Sequence, residues 1–376
     1  MAKPAASIKA NDPTQLERAM LVSLYTSGQL SEALAVARDF TARFPKHVLG
    51  WKVLGATLKT LGHVQASLEP MQKAVMLSPH DHEAFNNLGV TLKDLGRIDH
   101  AIGCYRQALA LKPDYADALG NLGAALREQG KVDEALDSYR KKLRLTPDDQ
   151  ETAHHVAALS GEQTRRAPEQ YVVGVFNNYA GTFDAHLQET LHYHVPAELT
   201  ALLTRACPPP PDKWRVLDLG CGTGLVGQAI APFARQLVGV DLAPKMLEKA
   251  AAKGLYTRLA CADLVAMMQA EAPGSHDVVI AADVFIYVGM LDDVVHETKR
   301  VLVPGGLVAF SVESTRPDAA PGSYQLLSSG RYGHSAGYLA QLAQAHGFDQ
   351  VETAPVRIRS DANGDIMGSL VVWRAR

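Results

Sequence analysis

Apolar and polar positions follow two different rhythms along the chain, and the change comes near residue 160. Before it, apolar residues recur at helical spacing in paired blocks. Examples are "AFNNLGVTLKDLG" followed by "IDHAIGCYRQALALKP", and "ALGNLGAALREQG" followed by "VDEALDSYRKKLRLTP". That spacing gathers the apolar side chains on one face of an α-helix. The punctuation is periodic as well. Gly28, Gly62, Gly96 and Gly130 stand 34 residues apart, and Pro45, Pro79, Pro113 and Pro147 keep the same step. Each glycine ends a first helix and each proline closes the second. Small residues recur where two helices must approach (Gly55, Gly89, Gly123; Ala33, Ala101, Ala135), and large ones on the buried faces (Leu54, Leu88, Leu122; Tyr105, Tyr139). The pattern predicts a helical solenoid over 14–147, with "QETAHHVAALS" at 150–160 as one further helix covering its open end.

The second rhythm alternates short apolar runs with amphipathic helices. Residues 161–174 are polar, "YVVGVFNNYAGTFDAHLQETLHYHVPAELTALLTRA" reads as helical with aromatics, and Pro208 to Pro211 break the chain. Then "RVLDLG", "QLVGVD", "YTRLACAD", "HDVVIAADVF" and "GGLVAFSVE" alternate with helices, and "VETAPVRIRS" and "GSLVVWRAR" close the chain around the turn "DANGD". Strands and helices in alternation predict an α/β sandwich with a mostly parallel sheet, here of seven strands with the last reversed. The expected division is a tail at 1–13, the helical repeats with their capping helix at 14–160, a linker with covering helices at 161–211, and an α/β core at 212–376.

Composition narrows the function more than the fold. There are 37 basic and 40 acidic residues, so no basic excess draws the chain to nucleic acid or an anionic membrane. No run of apolar residues suits a signal peptide or a membrane span, and Cys104, Cys207, Cys221 and Cys261 form no CxxC pair. A cytoplasmic protein with reduced thiols is expected.

Candidate chemistry centres on "WRVLDLGCGTGLVG", a buried strand running into a turn that holds Gly220, Gly222 and Gly224. Backbone N–H groups there can approach a ligand without an intervening Cβ. A triphosphate loop needs Gly-Lys-Ser/Thr, which is missing. The glycines alone leave a dinucleotide open, since Gly220, Gly222 and Gly227 loosely fit G-x-G-x-x-G and Asp241 follows about 20 residues on. Asp218 favours a different ligand. A carboxylate beside the turn repels a pyrophosphate and suits an ammonium or sulfonium, which S-adenosylmethionine carries. On that reading Asp241, with Leu242, takes the ribose hydroxyls. Asp263 takes the adenine amino group with Leu264 beside the ring, and Asp283 lies where the methionyl end meets the acceptor.

Two family resemblances follow from these residues. The 34-residue columns over about 14–147 resemble the tetratricopeptide repeat. The glycine turn, Asp241, Asp263, "AADVFIYVG" and "VLVPGGLVAFS", in that order over about 171–376, resemble class I S-adenosylmethionine-dependent methyltransferases. With "APEQYVVGVFNNYAGTFDAHL" and "RYGHS", the chain resembles a bacterial group of predicted methyltransferases that carry tetratricopeptide repeats. The resemblance implies a methyltransferase with S-adenosylmethionine as cofactor and leaves the acceptor open. It can be a protein, peptide or carrier-bound group recruited by the repeats, or a small molecule with the repeats serving assembly. A scaffold that binds the cofactor without turnover is the remaining alternative.

Further candidates depend on placement. Tyr179 and Phe183 precede the first strand, where such a fold lays a helix over the cofactor. His334, Tyr287 and Glu313 fall near the ends of the fourth and fifth strands and are candidate bases for the acceptor. His186, His192 and His194 cluster but lack a cysteine or carboxylate to complete a metal set. In the repeats, Asn87 and Asn121 share one column, resembling the asparagine ladder of O-linked N-acetylglucosamine transferase. Lys59, Lys93 and Arg127 share another. Together they suggest a groove for an extended acidic peptide.

Overall fold

A computed structural model of the chain describes residues 12–181, 183–185, 193–317, 322–361 and 364–376, without the side chains of Asn178, Tyr179, Ala185 and Asp361. It divides into two compact units, Met1–Thr152 and Ala153–Arg376.

The first unit consists of antiparallel helix pairs: α1 (Gln15–Thr26) with α2 (Leu30–Arg43), α3 (Val48–Thr60) with α4 (Val64–Leu77), α5 (His82–Asp94) with α6 (Ile98–Leu111), and α7 (Ala116–Glu128) with α8 (Val132–Leu145). Thr14 and Glu17 form a reciprocal capping box at the start of α1. Close packing inside each pair explains one glycine column. A Cβ on Gly89 would stand 2.5 Å from the ring of Tyr105, and one on Gly123 would stand 2.8 Å from the ring of Tyr139. Both tyrosines are buried, so each glycine is the hollow that receives an aromatic ring from its partner helix.

The groove residues are engaged within the repeats. Asn121 Nδ2 donates to Asn86 Oδ1 at 2.9 Å, beside the half-buried Asn87. Lys59 lies 3.7 Å from Asp94, and Lys93 lies 3.7 Å from Glu128. Arg127 also has an interaction partner. The row expected to be basic is interleaved with a row of carboxylates that the 34-residue step carries alongside it.

The division between the units falls inside α9 (Gln150–Ser160), which the sequence predicts as a cap on the repeats. From Ala153 onward this helix belongs to the second unit. Ala157 and Ala158 pack with Tyr171, Leu326 and Tyr332, and His154 Nε2 lies 2.9 Å from the carbonyl oxygen of Gly330.

In the second unit the sheet has nine strands among the described residues: β1 (Trp214–Leu219), β2 (Ala234–Asp241), β3 (Arg258–Cys261), β4 (His276–Ala281), β5 (Leu302–Glu313), β6 (Tyr324–Leu326), β7 (Tyr332–His334), β8 (Phe348–Asp361) and β9 (Gly364–Ala375). The order β3-β2-β1-β4-β5 is parallel; β9 runs antiparallel to β5, and β8 pairs with β9 outside it. Those seven strands match the expected sheet with a reversed last strand. The hairpin β6–β7 is additional and pairs with β5 at Glu313 and Gly333. Its three-residue strands are too short to leave an alternating pattern in the sequence.

Helices cover both faces, which is why β1 and β4 are almost continuously buried. Leu217 and Leu219 pack on one face with residues of α15 (Leu264–Ala270), α16 (Asp292–Val301) and α17 (Ala336–Ala345). Trp214 and Val216 point to the other, against α12 (Val195–Ala206) and α13 (Leu225–Ile230). Three further helical pieces, α10 (Glu169–Tyr179), α11 (Phe183–Ala185) and α14 (Pro244–Ala252), lie near the carboxyl ends of β1 and β2.

Candidate active site

The glycine turn after β1 owes its shape to backbone conformations that side chains resist. Gly220, Gly222 and Gly224 have φ of 63°, 53° and 89°, and a Cβ on Gly220 would stand 2.5 Å from Val284. The turn is stitched to the end of β2. Cys221 N donates to Val240 O at 2.9 Å, and Gly222 N donates to Asp241 Oδ2 at 2.8 Å. The other oxygen of Asp241 accepts from Ala243 N at 2.8 Å. Burial raises the Asp241 carboxyl above its ordinary range, against the pull of these amides.

A cavity of about 480 Å³ opens above the turn, at the carboxyl ends of the parallel strands. That is a size suited to a small ligand, in the place where open α/β sheets bind them. Asp241, Asp263 and Asp283 all line it. Asp263 is the N-cap of α15, with Oδ1 accepting from Val265 N at 3.0 Å and Ala266 N at 3.2 Å. Its Oδ2 accepts from Arg166 at 2.6 Å. Asp283 follows β4 with φ 57°, a conformation unusual for a residue with a side chain. Its N–H donates to Ser311 Oγ at 2.8 Å, and that hydroxyl donates back to Asp283 Oδ1 at 3.0 Å. Burial pushes the Asp283 carboxyl up to about 6, while Arg359 and Ser311 pull the other way.

The wall opposite the turn comes from the segment before β1. Phe176 and Phe183 pack together with Ala180, Ala243 and Met246, and both rings border the cavity. Asn177 Oδ1 accepts from Lys245 N at 3.2 Å at the start of α14. Asp184 is bonded to the Thr223 hydroxyl of the glycine turn, and it pairs with Lys253 at 2.9 Å. Residues 165–167 form a strap sewn to the loop after β4. Ala167 N donates to Tyr287 O, and Gly289 N and Met290 N donate to Arg165 O, each at 2.9 Å.

Residues 217–310 match the family described as methyltransferase domain, and residues 86–150 match the tetratricopeptide repeat. The chain is thus similar to methyltransferases over 217–310 and, earlier in the sequence, to tetratricopeptide repeats over 86–150. It is similar to methyltransferase-like protein 27 of Homo sapiens, 36% identical over 149 residues that cover 37% of this chain and 56% of that protein. It is also similar to the ubiquinone biosynthesis O-methyltransferase of Bordetella pertussis, 36% identical over 106 residues, 27% of this chain and 44% of the other. The chain thus spans about half the length of the curated relatives it matches. Among solved structures it is similar to the 1,6-didemethyltoxoflavin-N1-methyltransferase of Burkholderia thailandensis, at 17% identity and TM-score 0.43, over 57% of this chain and 92% of the other.

Within the second unit, several expected residues meet around the cavity: Gly220, Gly222, Asp241, Leu242, Asp263, Leu264, Asp283, Phe183 and Tyr287. Others do not. Asp218 is fully buried and absent from the cavity wall. It shares the sheet face of Trp214 and Val216, where Tyr256 Oη donates to its Oδ2 at 2.7 Å and its Oδ1 has no partner. Burial pushes the Asp218 carboxyl up to about 8, so it is a poor counter-charge for a cationic ligand. Gly224 faces Tyr256 and α14 and lies off the wall.

His334 ends β7 in the interior, with Nε2 3.0 Å from the carbonyl oxygens of both Val288 and Gly289. Its ring nitrogen donates to those carbonyls, and burial lowers its pKa to about 4. It is a neutral strut off the cavity wall and no base for an acceptor. Glu313 is equally buried and faces Arg359 and Arg331, so it positions arginines. Tyr287 does border the cavity, packed against Phe176, but burial raises its phenol further above the ordinary range. The Tyr179 side chain, His186 and His192 lie outside the described residues. His194 caps α12 and is exposed.

Arg166, Tyr193, Arg331 and Arg359, none of them a candidate from the sequence, also line the cavity. Arg331 lies within the motif "GRYGHS". Strict strand alternation puts Arg357 and Arg359 on one face, but a register shift between them separates the two, leaving Arg357 exposed and Arg359 on the cavity wall.

Proposed function

We propose that this chain is an S-adenosylmethionine-dependent methyltransferase acting on a small organic acceptor, with the repeats binding a protein partner. The observation that carries this is the ring of carboxylates at the ends of β2, β3 and β4 around the glycine turn. At the β2 and β3 end these carboxylates offer acceptors to hydroxyl and amino groups, such as those of a ribose and an adenine.

The residues fit the cofactor on two grounds. Asp241 keeps acceptor capacity toward the cavity beyond its two backbone partners, as ribose hydroxyls require. The backbone at Gly220 and Gly222 borders the cavity with no Cβ to block it. Asp263 would accept the adenine amino group between Leu242 and Leu264. Bound there, S-adenosylmethionine supplies a methyl group on a cationic sulfur, transferred in line to a nucleophile. The protein's part is alignment and exclusion of water by the wall of Phe176, Phe183 and the Asp184 contacts. Asp283, in its ionised form, is the cavity carboxylate placed to take a proton from a hydroxyl acceptor, since burial raises its proton affinity. The relatives named as ubiquinone O-methyltransferases agree with an oxygen acceptor. The paired lysines of the repeats argue against an acidic peptide as the partner.

Calorimetric titration of the full chain tests the cofactor. S-adenosylhomocysteine should bind in the micromolar range and NAD should not bind. NAD binding with no binding of the sulfur ligand would overturn the assignment.

A further inference from the structure

At the β4–β5 end of the cavity, two guanidinium groups meet a single carboxylate. Arg359, on β8, is bonded to Glu313 Oε1 and stands 3.4 Å from Asp283 Oδ2. Arg331, after the β6–β7 turn, places its Nε 3.1 Å from the same Glu313 oxygen, out of hydrogen-bond alignment. No side-chain hydrogen bond of Arg331 is found among the described residues. Both arginines line the cavity, whereas Glu313 lies behind them. Their side chains are only 24% and 11% exposed, so water serves their N–H groups poorly. Asp283, the other carboxylate nearby, is already shared among Ser311, Tyr193 and Arg359.

We propose that the methyl acceptor carries a carboxylate, received by Arg331 and Arg359 at the β4–β5 end of the cavity. This rests on the methyltransferase function proposed above and adds a substrate class to it. A guanidinium offers a planar fork of donors that matches a carboxylate, and a partly desolvated fork gains most from an ionised partner. Placement favours the acceptor over the cofactor as the source of that carboxylate. Asp241 and Asp263 hold the adenosine end at β2 and β3, and β1 and β4 stand between β2 and β5.

The test uses the full chain saturated with S-adenosylhomocysteine and titrated with benzoate and, separately, benzamide. Benzoate should bind at least about tenfold more tightly than benzamide. Arg331→Gln should abolish that preference and leave S-adenosylhomocysteine affinity within about twofold. Arg331→Lys should restore part of it, since it keeps charge without the fork. Equal binding of the two probes, or no benzoate binding at about 20 mM, would overturn the proposal. So would an Arg331→Gln chain that loses S-adenosylhomocysteine affinity but keeps its benzoate preference, because the pair would then serve the cofactor's own carboxylate. If S-adenosylhomocysteine fails to bind, the methyltransferase function falls. The benzoate preference, measured on the protein alone, still decides whether this is a carboxylate site.

Discussion

The helical repeats and the sheet unit treat their charged side chains in opposite ways. In the repeats, Lys59, Lys93 and Lys52 each meet a carboxylate from the next helix pair, at Asp94, Glu128, and both Asp81 and Glu83. The Lys59 and Lys93 pairs repeat with the 34-residue step, the Lys52 pair is more buried, and each cation meets a carboxylate. In the sheet unit, Asp218, Asp241 and Asp283 are held in surroundings that raise their pKa values, and among the described residues Arg331 has an ion pair with Glu313 but no side-chain hydrogen bond. Burying such groups works against folding, and two of them, Asp241 and Asp283, share one cavity wall, which marks a place arranged for something other than stability. Regular compensation accompanies a structural role, and its local absence points to a ligand.

The contrast can be broken most decisively at Asp241. Asp241→Ala removes the carboxylate proposed to hold two ribose hydroxyls, and S-adenosylhomocysteine affinity should fall by about a hundredfold or more. A folded variant, checked by circular dichroism, that still binds in the micromolar range would sink the cofactor placement.

Asp218 sharpens the contrast through stability. Its folded pKa of about 8 lies above the unfolded value near 3.8, so the folded state holds a proton that the unfolded state releases between those limits. That contribution is full at low pH and is lost as pH rises through the window toward 8. Asp218→Asn keeps the shape and an acceptor for Tyr256 without the charge. It should stabilise the chain at pH 8 by on the order of 1–3 kcal/mol, with the gain shrinking toward pH 4. Urea unfolding at the two pH values measures it, and a pH-independent difference would show that Asp218 is not the titrating group.

The smallest effect belongs to the repeats. Lys93→Ala breaks a half-exposed pair and should shift stability by less than about 0.5 kcal/mol. A loss above about 1 kcal/mol would mean that the lysine columns are structural after all.

The repeats and the alternation of strands with helices were legible because each leaves a periodic trace: a 34-residue step in one unit, apolar runs ended by an aspartate in the other. Asp241 and Asp263 were found for that reason, since the end of a strand is where the trace stops. Side-chain direction was less legible. β1 is buried on both faces, so hydrophobicity alone gives no face for Asp218, although its two-residue alternation with Val216 assigns it to the Tyr256 side. His334 was misplaced because β6 and β7, at three residues each, are invisible as strands, and without that hairpin the histidine seems to sit in a loop. Arg359 depends on a register shift, which no pattern of residue types records.

Asp263 ends a helix, ties the strap through Arg166 and borders the cavity, all with one carboxylate. Under evolutionary drift such a position changes last, because a replacement must suit three neighbours at once. Asparagine or serine would preserve the helix start and lose the ion pair, and most other residues would lose both. A single substitution at this position would therefore disturb the strap and the cavity wall together, and with most residues the helix start as well.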